Sequence, residues 1–445
     1  MRPASIRSPR SAAAAEPSLD LPRRRWRIAW LLGLGVFISY LDRINLSVAH
    51  TALISSFAIS DVTFGYLSAA YNWTYMFCQI PVGMLLDRFG VRLVSRIGAV
   101  IWSTASFAAA LTPSLAGFFA ARFLLGVGEA PLFPANAKAI GRWFPSKDRS
   151  LPTGLFDGAS KFSNVVGVPF LGYVLLRLGW RWCFSVTGIV SLLYFALFYK
   201  VYRDPEDDPG LSSVEREYIQ SEPLDLPESA PSPVGRSASY LLAQRKVIGL
   251  ALGSGAYNYV FYLLLAWLPS YLSSALHIDS MHSFLYTGVP WLIATIADLL
   301  VGGWLVNKLI AQGRDEGRVR RVVLIAGTAL GLCILGAARA HSAGQALLWI
   351  SISIGGLSAA APITWSLPSL IAPRESVGTL GGIMNMSNQI SGIAAPIVTG
   401  YVVTAFHSFA WAFGISAAYL LVGIAAYAFL LGPIERIPEQ IPAKA

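Results

Sequence analysis

Residues 118–134 read FFAARFLLGVGEAPLFP, an apolar run that carries Arg122 and Glu129 well inside it. On a helix of 3.6 residues per turn a spacing of seven returns to the same face, so both charges point the same way. A charged side chain facing lipid near the bilayer centre costs about 2.5 to 3.5 kcal/mol on insertion scales, so these two must face protein or water. The segment therefore reads as one wall of a polar cavity. The plainer reading is an internal ion pair that only fixes helix packing.

Composition extends this reading to the whole chain. At 445 residues, with 55% hydrophobic and only 13% charged residues, the protein is too apolar for a soluble enzyme of its size. Its mean hydropathy of +0.56 belongs to a polytopic helical membrane protein. Runs of about 20 apolar residues, each long enough to cross a hydrocarbon core of roughly 30 Å, occupy 27–49, 63–86, 93–112, 114–137, 151–176, 182–202, 246–273, 283–308, 321–339, 345–370, 378–404 and 409–431. The expected fold is all-α, with twelve transmembrane helices in two pseudo-symmetric bundles of six.

The net charge of +10 encodes topology rather than nucleic-acid binding, because the basic residues sit in the short gaps and the leading tail. Arg88, Arg92, Arg142, Lys147, Arg149, Lys308, Arg314, Arg318, Arg320, Arg321 and Arg374 fall in or beside the loops after spans 2, 4, 8 and 10. The opposite loops hold little beyond Arg177, Arg181 and Arg339. By the positive-inside rule both termini are cytoplasmic. Residues 1–25 form a tail ending in Arg23-Arg24-Arg25, and Glu16 and Asp20 argue against an organelle transit peptide.

Cys78, Cys183 and Cys333 lie in apolar segments without paired spacing, and the five histidines are scattered near the ends of runs. Neither disulfides nor a metal site is expected, and no cofactor. The long polar break at 204–244 is rich in Pro, Ser, Glu and Asp and reads as a cytoplasmic linker, with a short surface helix at Ser212–Gln220 started by a serine cap. The expected organisation is a tail (1–25), a first bundle (26–202), a linker (203–244), a second bundle (245–432) and a short tail (433–445). The two bundles read as distant copies. Val82-Gly83-Met-Leu-Leu-Asp87-Arg88 ends span 2 as Gly302-Gly303-Trp-Leu-Val-Asn307-Lys308 ends span 8, and Pro169 with Gly172-Tyr173 matches Pro396 with Gly400-Tyr401. Parallel six-span repeats place a substrate site near the midplane, between the halves.

Several polar side chains interrupt the apolar helices. Span 1 carries Tyr40-Leu41-Asp42-Arg43-Ile44-Asn45, with Tyr40 and Arg43 one turn apart on a shared face. Arg43 and Arg122 together would form a pocket whose planar guanidinium forks suit a carboxylate. Alternatively Asp42 neutralises one arginine and Glu129 the other. Even then a carboxylate beside an arginine can trade a proton when an anion competes for the guanidinium. Asp157 and Lys161 lie at i and i+4 in span 5, a spacing that pairs them. Tyr75 and Gln79 share a face of span 2 and could bond substrate hydroxyls or simply another helix. Trp365 in span 10 could stack on a ring or fill an interface, and Asp298 in span 8 is an intramembrane carboxylate without an obvious local cation.

The segment Gly83-Met-Leu-Leu-Asp87-Arg88-Phe-Gly90-Val-Arg92 resembles the signature loop of the major facilitator superfamily. Tyr40-Leu-Asp42-Arg43, then Arg122-Phe-Leu-Leu-Gly126-Val-Gly128-Glu129-Ala-Pro131-Leu-Phe133-Pro134, then Trp143-Phe144-Pro145 with Arg149, resemble its anion:cation symporter family. That family includes bacterial sugar-acid transporters and animal sialic acid and vesicular glutamate carriers. The resemblance implies alternating access, an organic anion held at Arg43 and Arg122, and proton coupling through Asp42 and Glu129, with Asp298 a further proton-site candidate. It also implies a gating latch at Asp87, Arg88 and Arg92, weakened in the second half where Asn307 replaces the acidic residue. Lys161 lies where similar sugar-acid members place a polar substrate-binding residue, often Gln. A third cation there would favour a substrate with a second carboxylate or an acidic aromatic ring. Under the repeat Lys161 falls opposite Asn388 and Gln389, in the run Asn385-Met-Ser-Asn388-Gln389, so polar groups of both halves are expected to converge.

The expectation is a monomeric secondary transporter in a bacterial inner membrane, importing with protons a small organic carboxylate, whether a sugar acid, a dicarboxylate or an aromatic carboxylate. An exchanger or exporter on the same scaffold, and a non-transporting receptor, are the alternatives. No nucleophile with a base, metal cluster or phosphate loop points to an enzyme.

Overall fold

The computed structural model describes residues 23–145, 149–220, 234–373 and 376–438. Eleven helices among them are long and apolar enough to cross a membrane, and the pair His50–Phe57 plus Asp61–Leu86, bent by 115°, makes a twelfth. In chain order the spans are α1 (Arg24–Val48), α2 (Asp61–Leu86), α3 (Arg88–Leu111), α4 (Leu115–Trp143), α5 (Leu151–Leu178) and α6 (Trp180–Val201). The second set is α7 (Arg245–Ala275), α8 (Ser280–Ala311), α9 (Glu316–Ala337), α10 (Ala343–Ile371), α11 (Thr379–Phe406) and α12 (Ala410–Leu431).

Sequence chemistry places the breaks. Ser60, Ser114 and Ser342 each accept a backbone N–H of the first turn, capping α2, α4 and α10. Gly90, at φ +75°, separates the axes of α2 and α3 without a loop, because a residue with a Cβ is strained there. Outside the packed interior the surface is apolar: Ile80, Leu111 and Phe429 are 78%, 78% and 76% exposed. Such a belt belongs in lipid, where backbone groups satisfied inside helices are the condition for crossing.

The halves repeat their packing. Helix α1 lies against α5 as α7 lies against α11, and α3 meets α4 as α9 meets α10. Between the halves, α2 packs on α11, α5 on α8 and α1 on α7. These seams are closest at the end away from the chain termini. A Cβ on Gly65 would stand 2.6 Å from the Pro396 carbonyl, and one on Gly400 would stand 2.5 Å from that of Asp61. With lipid as solvent, small residues that bring backbones together are what hold helices side by side. Asn72 adds a hydrogen bond to the Gly392 carbonyl at 2.9 Å. At the same end His50 bridges the halves, its Nε2 3.1 Å from Asp61 and its Nδ1 2.7 Å from the Ser270 hydroxyl. Towards the termini Gly83, Gly154, Gly381 and Gly382 have nothing within 4 Å of where a Cβ would sit.

The first span begins at Arg24, earlier than the apolar pattern predicts, because its opening arginines are held by the linker. Arg24 binds Asp208 at 2.7 Å, and the Arg25 N–H donates to Glu215 at 3.0 Å. Arg142 at the end of α4 pairs with Asp204 and Glu206, each at 2.8 Å. The short linker helix is present as Ser213–Gln220, capped by Ser212, whose hydroxyl accepts the Glu215 N–H. The leading tail before residue 23 and the latch carboxylate of Asp87 lie outside the described residues and side chains.

Candidate functional site

The two charges of the opening stretch do share a face, and both are buried: Arg122 is 4% exposed and Glu129 is fully covered. Glu129 takes its partner from α1. The Arg43 Nε donates to its carboxylate at 2.9 Å, and a second guanidinium nitrogen lies 2.9 Å from the same oxygen. Arg43 is further enclosed by tyrosine rings, with centroids 4.4 Å (Tyr40), 4.6 Å (Tyr71) and 5.6 Å (Tyr75) from its guanidinium carbon. A desolvated guanidinium on a ring face gains about 2 kcal/mol, which keeps this cation in place without a second carboxylate.

Asp42 does not neutralise an arginine side chain directly. Its carboxylate accepts hydroxyl hydrogen bonds from Ser106 of α3 at 2.5 Å and Ser191 of α6 at 2.9 Å. Arg122 instead donates to the Asp42 backbone carbonyl at 3.2 Å. Its Nε and one Glu129 oxygen are buried without hydrogen-bond partners. Arg122 and Arg43 thus line one narrow cavity with Ser68, Tyr71, Asn72 and Tyr262, the last from the second half. Two guanidinium groups with spare donors on a shared cavity have the geometry and charge to suit a planar anion.

Lys161 has the expected partner on its own helix and a further one from the other half. Its ammonium lies 2.9 Å from Asp157 on its own helix and 2.7 Å from Asp298 of α8. The cation that Asp298 lacks in the sequence is therefore Lys161, and the group of the other half that Lys161 meets is Asp298 rather than Asn388 or Gln389. Those two are buried on α11 with unpartnered side-chain oxygens, and Gln389 lies beside Tyr262. Gln79 lies beside the Tyr75 hydroxyl. Asn385 is half-buried, and Trp365 is 47% exposed, so it does not fill a packed interface. At the junction of α2 and α3, Arg88 stacks on its neighbour Phe89 at 5.2 Å and the Arg92 Nε is buried without a partner.

Sequence reasoning missed Tyr71, Ser68, Asn72 and Tyr262. The first three extend the Tyr75–Gln79 stripe back by one and two turns, so the spacing already held them. Tyr262 likewise continues a stripe on α7, where Ser254, Asn258 and Tyr262 fall at i, i+4 and i+8. Among the described residues no group of His, Cys, Asp and Glu could hold a metal ion.

Twelve apolar helices in two like sets, with charged side chains buried along the seam between them, define a polytopic membrane transporter. The chain belongs to the Major Facilitator Superfamily, whose sequence profile matches residues 32–396. It is 38% identical over 414 residues to the uncharacterized transporter YybO of Bacillus subtilis strain 168, covering 93% of this chain and 95% of that one. It is 31% identical over 430 residues to the D-galactonate transporter of Escherichia coli O6:H1, covering 95% and 98%. A bacterial homologue of the human lysosomal transporter Spinster, solved inward-facing and occupied, shares the fold at a TM-score of 0.73 and 17% identity, over 92% of this chain and 97% of that one. The D-xylose–proton symporter does so at 0.66 and 18%, over 91% and 98%.

Proposed function

We propose that the protein imports a sugar acid with protons by alternating access. The observation that carries this reading is the buried Arg43–Glu129 pair, 2.9 Å apart beside a cavity that both halves line. While Glu129 is ionised it occupies the guanidinium fork. A proton on Glu129 releases Arg43 for a substrate carboxylate, so anion and proton are taken up together. Asp42, held through Ser106 and Ser191, and Arg122, bonded to the Asp42 carbonyl, transmit the change along α1 to α3, α4 and α6. Tyr40, Tyr75, Gln79, Asn385, Asn388, Gln389 and Trp365 supply hydroxyl, amide and ring contacts to a polyhydroxylated chain.

Support for the substrate class comes from the relatives. Besides the D-galactonate transporter, a probable galactarate/D-glucarate transporter of Bacillus subtilis is 30% identical over 441 residues. The bacterial relatives support an inner-membrane location, and the arginine-rich loops support cytoplasmic termini. With the termini inside, the close contacts at Gly65 and Gly400 seal the outer face, so this is the inward-facing member of the cycle. Asp87, Arg88 and Arg92 then act as a latch of the opposite, outward-facing state. The two six-helix bundles with their linker are the rocking units, and one chain suffices for a cycle.

The test is uptake of radiolabelled galactonate into proteoliposomes under an imposed proton gradient. Outside acidification accelerates it and an uncoupler abolishes accumulation. Uptake indifferent to the uncoupler would replace symport by anion exchange, and binding without uptake would leave only a receptor.

A further inference from the structure

We infer that Asp157 and Asp298 mask Lys161, so that the site takes sugar monoacids and discriminates against the corresponding diacids. This rests on the sugar-acid reading above and chooses within it. A free lysine at this position would be a third cation and would welcome a second carboxylate. Here two carboxylates already occupy one ammonium, at 2.9 and 2.7 Å. The group presented outward is an acid: the Asp157 side chain is 22% exposed, against 3% for Lys161 and 4% for Asp298. Asp298 Oδ1 is buried with no hydrogen-bond partner, which leaves further unneutralised acceptor in the cluster.

The cluster stands at the meeting of α1, α5, α7 and α8. Tyr40 and Tyr257 are both within electrostatic reach of Asp157 and Lys161, and the Tyr40 ring also covers Arg43 at 4.4 Å. Tyr40 therefore faces both the Arg43 anchor and the triad, and an acid held by its carboxylate at Arg43 is placed by the proposal with its far end towards Asp157. The far end of a monoacid, a primary alcohol, can donate its hydroxyl to the partly exposed Asp157. The far end of a diacid meets a carboxylate with a carboxylate. Asp298 also opens the π-helical stretch Asp298–Leu305, a local widening of α8 of the kind that recurs at functional positions.

The experiment is equilibrium binding to purified protein at pH 7.5, by intrinsic tryptophan fluorescence, with galactonate and galactarate as probes. Like-charge juxtaposition in a buried site costs enough that wild type binds galactonate at least roughly tenfold more tightly. Asp298→Asn, which lifts part of the mask, narrows that ratio by roughly tenfold or inverts it. Lys161→Gln, which leaves the acids and removes the cation, widens it. The readout is a ratio of affinities, so a variant that has merely lost packing lowers both acids together and overturns the proposal. Wild type that binds both acids equally also overturns it, while leaving sugar-acid transport standing. Wild type that binds neither acid overturns both.

Discussion

The Arg43 guanidinium and the Glu129 carboxylate lie 86 positions apart in the chain and 2.9 Å apart in space, with side chains 5% and 0% exposed. Removing one partner of a buried pair costs about 3 to 5 kcal/mol, because the other charge is left without compensation. Arg43→Ala should therefore insert into the membrane yet lose galactonate uptake entirely, with a lowered melting temperature. Arg43→Lys should rescue stability in part and uptake hardly at all, since an ammonium lacks the planar fork and its ring stacking. Normal uptake by either variant would remove Arg43 from substrate binding.

Glu129→Gln separates binding from coupling. The amide keeps the shape but leaves the guanidinium permanently available to an anion. Galactonate binding should persist and substrate-for-substrate exchange should continue, while accumulation driven by an outside acid pulse disappears. A variant that still accumulates galactonate against its gradient would place the coupling proton elsewhere.

For Asp42 the structure makes a hydroxyl-specific prediction. Ser106→Ala or Ser191→Ala withdraws one of two hydroxyl donors from a buried carboxylate, at a cost of about 1 to 3 kcal/mol. Thermal unfolding in detergent should shift down for each variant. The double variant should lose more than either single one, and an unchanged melting temperature would mean that water replaces the hydroxyls.

Gly65 tests the seal. A leucine side chain directed at the Pro396 carbonyl overpacks the seam by about 1 to 3 kcal/mol, which moves a two-state equilibrium by roughly 5- to 150-fold. In Gly65→Leu, a cysteine placed at Ser68 should become reactive to an impermeant maleimide added from the outer side, and uptake should fall accordingly. Labelling equal to that of the glycine parent would contradict the proposed sealed face.

Much of this arrangement was legible in one dimension, because the bilayer penalises charge so heavily. Arg43, Asp42, Arg122, Glu129 and Asp298 stand out within apolar runs, and the twelve spans follow from length alone. Partnership was not legible. Nothing in the chain says that Glu129 prefers Arg43 to Arg122, since that choice depends on how α1 and α4 rotate against each other. Nor does the sequence show that Asp42 turns towards serines, because Ser106 and Ser191 are two of many hydroxyls in apolar helices. The internal repeat misdirected the reading of Lys161 towards α11. Its true neighbour, Asp298, comes from α8, since the seam between the halves pairs α5 with α8.

The bridge at His50 gives the molecule an asymmetry of toll. A solute leaving past that residue needs the imidazole parted from Ser270, the Asn72 bond to the Gly392 carbonyl broken, and backbones separated at Gly65 and Gly400. A solute leaving past Gly381 and Gly382 meets no such contacts at those two positions. In this conformation the contacts that would have to part for a solute to leave are gathered at the His50 end.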